Sequence, residues 1–144
     1  MTPYIAAAMA TSSRWVCPEC KREFGRHRQS HACQPGNTVD ESFAGVPPVQ
    51  REIYDVIIDH LRSLGPVHED AVQVGVFLKS DRKIGEVRPR LKWLSLELRL
   101  PRIVHDRRVQ RTMGNVHIIK LFTPDDVDDV VLGWLTEAYQ DAAE

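Results

Sequence analysis

Three cysteines and two histidines crowd into the 17 residues from Cys17 to Cys33, CPECKREFGRHRQSHAC, and the chain has no other cysteine. Three thiols cannot close a disulfide set, and spacing this tight suits metal ligation in a reducing compartment, here read as cytoplasmic. Cys17 and Cys20 form a C-x2-C knuckle, in which a tight turn points two thiolates at one ion while backbone amides face the sulfurs. Structural Zn2+ takes four ligands with no open position. Two sets complete it: Cys17, Cys20, His31 and Cys33, or Cys17, Cys20, His27 and His31. The first is preferred, because the second leaves Cys33 as an oxidisable thiol beside the site. His27 sits in RHRQ, where a solvated basic face accounts for it. Ten residues separate Cys20 from His31, fewer than the roughly twelve of a DNA-reading finger. Phe24, with Trp15 or Val16, is the expected hydrophobic plug. A unit this small buries too little apolar surface to fold alone, so the metal would supply most of its folding energy. The competing reading is three incidental cysteines.

The segment organisation follows from composition. Residues 1–13 read as a disordered tail; Tyr4 to Ala10 is apolar but lacks a preceding basic residue and makes a poor signal peptide. Residues 14–34 form the zinc-binding module, and 35–47, rich in Gly, Pro, Asn, Asp and Ser, form a linker that Phe43 and Val46 pin to a neighbour. Residues 48–142 form the main domain. No apolar run approaches the roughly 20 residues of a membrane span.

The main domain alternates between helical and strand periodicity. Pro48 opens a helix whose stripe is Val49, Ile53, Val56, Ile57, His60, Leu61 and Leu64, closed by Gly65-Pro66. His60 falls at the edge of that stripe and reads as a packed histidine. Ala71–Lys79 reads as one alternating strand after a turn at His68-Glu69-Asp70, and 83–88 as a short one. Trp93–Leu100 puts four leucines on one face and Trp93, Ser95, Glu97 and Arg99 on the other. Val116–Phe122 is a further strand, with His117 on the face of Ile119 and Leu121. Thr123 caps a last helix, with Pro124 at its first position and Asp126 completing a capping box. Asp125, Asp126, Asp128 and Asp129 resemble a metal cluster, but acids at a helix start compensate its dipole. The expected fold is α+β: three or four mostly antiparallel strands packed by an N-terminal and a C-terminal helix, preceded by the zinc module.

The main domain resembles the bacterial family catalogued as domain of unknown function 5655. The passages carrying the resemblance are LRSLGPV at 61–67, LKWLSLELRL, NVHIIKLFTPDDVDD and WLTEAY at 134–139. Such domains are sometimes preceded by a segment like CPECKREFGRHRQSHAC. The resembling positions there are Cys17, Cys20, Gln29, His31 and Cys33, which supports the first ligand set; His27 does not belong to the pattern. The resemblance implies no activity, because the family has none established.

Net charge is −1, so global charge selects no partner. Its distribution is uneven: residues 79–111 carry eleven Arg and Lys against four acids, and 124–144 carry seven acids and no Arg or Lys. A basic face with an exposed tryptophan suits a binding surface, with Trp93, Arg99, Arg107, Arg108, Arg111 and His117 as its candidate residues and Arg107, Arg108 and Arg111 placed in a loop. The first reading is therefore a zinc-containing module that binds a ligand or a protein. The alternative is nucleic-acid binding through 79–111 and the zinc module. The competing account is a solubilising face set against the acidic helix, within one molecule or across a homodimer. An enzymatic reading needs a pocket around His117, Arg111 and Trp93. The sequence has no G-x-S-x-G, phosphate loop or H-E-x-x-H, and no residue is assigned a catalytic role.

Overall fold

A computed structural model describes residues 15–30 and 38–143. Residues 1–13, read as a tail, lie outside the described residues, as do His31 and Cys33. The chain divides into two compact units, Met1–Gly36 and Asn37–Glu144.

In the first unit, β1 (Trp15–Val16) and β2 (Glu23–Phe24) pair antiparallel, with Trp15 opposite Phe24. Phe24 is the buried plug and Trp15 packs on it, ring centroids 6.0 Å apart. Val16, an alternative plug by sequence, points outward and is 54% exposed. Cys17 and Cys20 are the other buried members of this cluster.

The second unit begins inside the stretch read as a linker. Thr38 and Glu41 form a reciprocal capping box that starts α1 (Val39–Phe43). The box satisfies two amides at the helix start, and Phe43 drives its ring against Tyr54, 5.1 Å between centroids. Val46 also packs on the core, as expected. Helix α2 (Pro48–Leu64) has proline in its first turn and buries Ile53, Tyr54, Ile57, Ile58 and Leu61. His60 is indeed an edge residue: its Nε2 lies 2.8 Å from the Thr136 hydroxyl. That hydroxyl donates to the Leu132 carbonyl, so the imidazole is the donor.

Six strands follow instead of three or four: β3 (His68–Val72), β4 (Gly75–Lys79), β5 (Lys83–Pro89), β6 (Leu94–Arg99), β7 (Val109–Met113) and β8 (Val116–Leu121). They form one sheet in the order β3-β4-β5-β6-β8-β7, every neighbouring pair antiparallel. The run Ala71–Lys79 is two strands, because the chain turns at Gln73-Val74 and pairs Val72 with Gly75. Val74, expected on an alternating face, is 58% exposed at that turn. His68, Glu69 and Asp70 belong to β3, and Arg111 to β7 instead of a loop.

The inner face of the sheet carries Val76, Leu78, Val87, Leu94, Leu96, Leu98, Ile119 and Leu121, each fully buried. Helix α3 (Asp129–Ala143) buries Val131, Trp134, Leu135, Ala138, Tyr139 and Ala142 and joins α2 in one core with that face. The helix starts later than Thr123 implies. The Thr123–Asp126 box closes only a 3-10 turn, Pro124–Asp126, and Asp128 then accepts from the amides of Val130 and Val131 at 3.1 and 3.2 Å to cap α3.

Candidate functional site: the open face of the sheet

Both helices pack on the inner face, so the alternate side chains of the central strands form a polar surface. The register fixes who sits beside whom. Glu86 on β5 lies directly opposite Glu97 on β6, and Glu97 opposite Ile118 on β8, which in turn faces Arg111 on β7. The next row is Arg88, Ser95 and Lys120. Arg90 and Trp93 stand at the β5–β6 turn, closed by the Arg90 amide donating to the Trp93 carbonyl at 2.9 Å. Between these side chains lies a groove of about 330 Å³ lined by Glu86, Arg88, Arg90, Trp93, Ser95, Glu97, Gln110, Arg111 and Ile118.

Directly opposed like charges destabilise a sheet, so the Glu86–Glu97 pair requires compensation. Lys83 supplies it, reaching Glu86 at 3.2 Å and Glu97 at 3.7 Å, and Arg88 donates to the other Glu86 oxygen. Glu86 is only 4% exposed although it belongs to the open face. The Lys120 ammonium lies 4.0 Å from the centre of the Trp93 ring, a cation–π contact that holds both side chains at the groove's end. Among the described residues, no carboxylate pairs with Arg90, Arg99 or Arg111. Ser95 is 7% exposed and lines the groove.

The six candidates from sequence separate. Trp93 and Arg111 line the groove, and Arg99 borders an adjoining depression that shares Glu97. Arg107 is exposed but not part of the groove. Arg108 is buried in a structural network: it grips both oxygens of Asp106 at 2.9 and 3.1 Å, donates to the Asp126 carbonyl at 2.9 Å and pairs with Asp128. The guanidinium holds the Asp106 carboxyl down at about 2, well below its usual range, and Asp106 in turn raises Arg108.

His117 faces the core, as its alternation with Ile119 and Leu121 implies, and is fully buried. Its Nε2 accepts from the Val104 amide at 3.1 Å, so Nδ1 carries the proton and donates to the Asn115 carbonyl at 2.9 Å. Both ring nitrogens are thereby used. Trp93 and Arg111 lie on the other side of the sheet, so the pocket that an enzymatic reading would have required does not form around His117. Sequence reasoning did not single out Arg88, Ser95, Gln110, Ile118 and Lys120 as site residues. The alternation of β6 and β8 carries the signal for Ser95 and Lys120; nothing local reveals that β5 lies beside β6.

In the smaller unit, Cys17 and Cys20 flank a tight turn and belong to one buried cluster, each 4% exposed. The Cys17 amide donates to the Arg22 carbonyl at 2.9 Å and the Lys21 amide to the Cys17 carbonyl at 2.8 Å. Lys21 takes a left-handed φ of 65°, an uncommon conformation for a residue with a Cβ. Two buried thiols on such a turn fit half of a tetrahedral zinc set. His27 is exposed and packs edge-on to Trp15 at 5.9 Å. Among the described residues, no three His, Cys, Asp or Glu side chains gather to hold a metal; Cys17, Cys20 and His27 are all described. Among the described residues no helix is long and apolar enough to cross a membrane.

No curated protein and no solved structure matches the chain. A family model described as Domain of unknown function (DUF5655) matches residues 39–142, beginning at α1 and ending in α3. That span contains the whole sheet, the groove and both covering helices, and the chain belongs to the DUF5655 family.

Proposed function

We propose that the chain is a zinc-carrying binding protein of a reducing, cytoplasmic setting, whose α+β domain holds its ligand in the groove on the open sheet face. One observation carries this reading: Ser95, Glu86 and Glu97 line one concave site with Arg90 and Arg111, whose guanidinium groups have no carboxylate partner among the described residues. A groove of this size falls at the small end of ligand sites. Zn2+ on Cys17, Cys20, His31 and Cys33 would supply folding energy to the N-terminal unit; four protein ligands leave no position for substrate.

A second reading is nucleic-acid binding, favoured by the convergence of Arg88, Arg90, Arg99, Arg111 and Lys120 on the face that carries Trp93. The test is a thermal-shift screen of the full chain against small molecules and single-stranded oligonucleotides. It is repeated with an Arg90→Glu/Arg111→Glu variant that unfolds at the wild-type temperature. At least one compound is expected to stabilise the wild type and not the variant. If every hit stabilises both equally, the face is not the binding surface. A nucleic-acid ligand would also lose affinity steeply with salt.

A further inference from the structure

We infer that the groove takes a small ligand with a phosphate at one end and N–H or O–H groups at the other. The inference rests on the reading of the open face as the binding surface and adds the ligand's chemistry. The cross-strand rows divide the groove by charge. One row runs Arg88, Ser95, Lys120, with the serine hydroxyl directly between two cations. Arg90 stands at the adjacent turn and lines the same groove.

Ser95 is the polar group between Arg88 and Lys120. The residue is 7% exposed and lines the groove. A hydroxyl flanked by a lysine and a guanidinium is a ready donor to an anionic oxygen, and charge-assisted bonds of this kind are the stronger class. The neighbouring row is acidic. Glu86 and Glu97 face each other across β5 and β6, already neutralised in part by Lys83 and Arg88. Both Glu86 oxygens are taken, by Lys83 and Arg88, which leaves Glu97 as the acceptor of this row. A carboxylate only accepts, so the part of the ligand that meets it must donate.

The acidic row also bears on ligand length. A polyanionic strand crossing the sheet from Ser95 towards β5 and the Lys83 end would pass directly over two carboxylates, which repel it. A single anionic group does not meet that penalty, because it ends at Ser95. The chemistry is therefore that of a phosphorylated small molecule with hydroxyl or amine groups, whether free or as the terminal nucleotide of a strand.

The test is calorimetric titration of the full chain with the four ribonucleoside 5′-monophosphates, glucose 6-phosphate, their unphosphorylated parents, and a twelve-nucleotide thymidine strand. At least one phosphorylated compound is expected to bind about 10-fold or more tightly than its parent, as loss of charge-assisted hydrogen bonds implies. Ser95→Ala and Arg90→Ala should each weaken it by about 5-fold or more, while Arg107→Ala, outside the groove, leaves it unchanged. Each variant is checked for a wild-type melting profile. Parent and phosphorylated compounds binding alike would overturn the inference while leaving the face as the surface. So would a strand that binds far more tightly than any single nucleotide and depends on Arg90 and Arg111. No binding by any probe, or binding indifferent to Ser95 and Arg90, overturns the inference; if the screened ligands are also indifferent to Arg90→Glu/Arg111→Glu, the broader reading falls with it.

Discussion

Replacing Arg108 by alanine is expected to cost about 2–3 kcal/mol of folding free energy. The Arg108 side chain is 7% exposed and holds three things at once: the Asp106 carboxylate, the Asp126 carbonyl and the Asp128 carboxylate. Its guanidinium also lies 5.7 Å from the centre of the Trp134 ring. It therefore ties the segment entering β7 to the turn that starts α3. Removing one partner of a buried pair costs about 3–5 kcal/mol when the other is left without solvent. Here the discount is set by exposure: the Asp128 side chain is 46% exposed and that of Asp106 20%, so both recover water when the arginine goes. The lost packing on Trp134 adds back part of the difference. Domains have only about 5–15 kcal/mol in total, so the change is easily read. Urea unfolding followed by far-UV circular dichroism measures it. Arg108→Lys should recover less than half, because an ammonium cannot grip Asp106 through two parallel bonds. Arg107→Ala, one residue away and exposed, is the control and should fall within about 0.5 kcal/mol of wild type. An Arg108→Ala variant as stable as that control would refute the structural role and return Arg108 to the list of ligand-facing cations.

The same pair sets an acid sensitivity. The Asp106 carboxyl is lowered in the folded chain from 3.8 to about 2, so its contribution is complete above about pH 4 and is lost as pH falls towards 2. Acid titration of stability should show that loss in wild type and a smaller one in Arg108→Ala; equal profiles would remove the pair as its source. His117→Leu leaves the Val104 amide without its buried acceptor, while the Asn115 carbonyl keeps the Leu100 amide, and should cost about 1–3 kcal/mol, with groove affinity unchanged in the folded fraction; a stable variant that loses ligand would bring His117 back into the site. Purified protein should carry one zinc per chain by elemental analysis, retained in His27→Ala and mostly lost in Cys33→Ala. The opposite pattern would exchange His27 for Cys33 in the ligand set.

The inner surface of the sheet was legible because period-two alternation is a local signal. Leu94, Leu96 and Leu98 declare one face of β6 without help from any other strand, and His117 falls in with Ile119 and Leu121 for the same reason. One failure comes from a turn without the residues that usually mark it. Val72 and Gly75 are joined through Gln73-Val74, so β3 and β4 read as one strand. The β7–β8 turn does contain a marked residue, Gly114 at φ 61°, yet β7 (VQRTM) is almost wholly exposed and shows no apolar alternation. The capping box at Thr38 and Glu41 was present in sequence but lay among the Gly, Pro and Asn that signal a linker.

The site was less legible than the fold because it is a property of registers. Counting arginines in 79–111 treats Arg88, Arg107, Arg108 and Arg111 as equivalent, and the structure divides them by what they face. Arg108 turns inward because Asp106 lies two residues before it and Asp128 comes from the start of α3, a pairing between distant segments. Ser95 gains its place between Arg88 and Lys120 only because β5 and β8 are the two neighbours of β6. The same register sets Glu86 against Glu97, an arrangement that would weaken the sheet but for Lys83 and Arg88. An uncompensated surface would favour almost any other residue at one of those two positions. Lys83 and Arg88 hold the carboxylate pair, and Arg88 with Lys120 flanks Ser95, so three cations serve the two rows that a ligand of the proposed chemistry would meet.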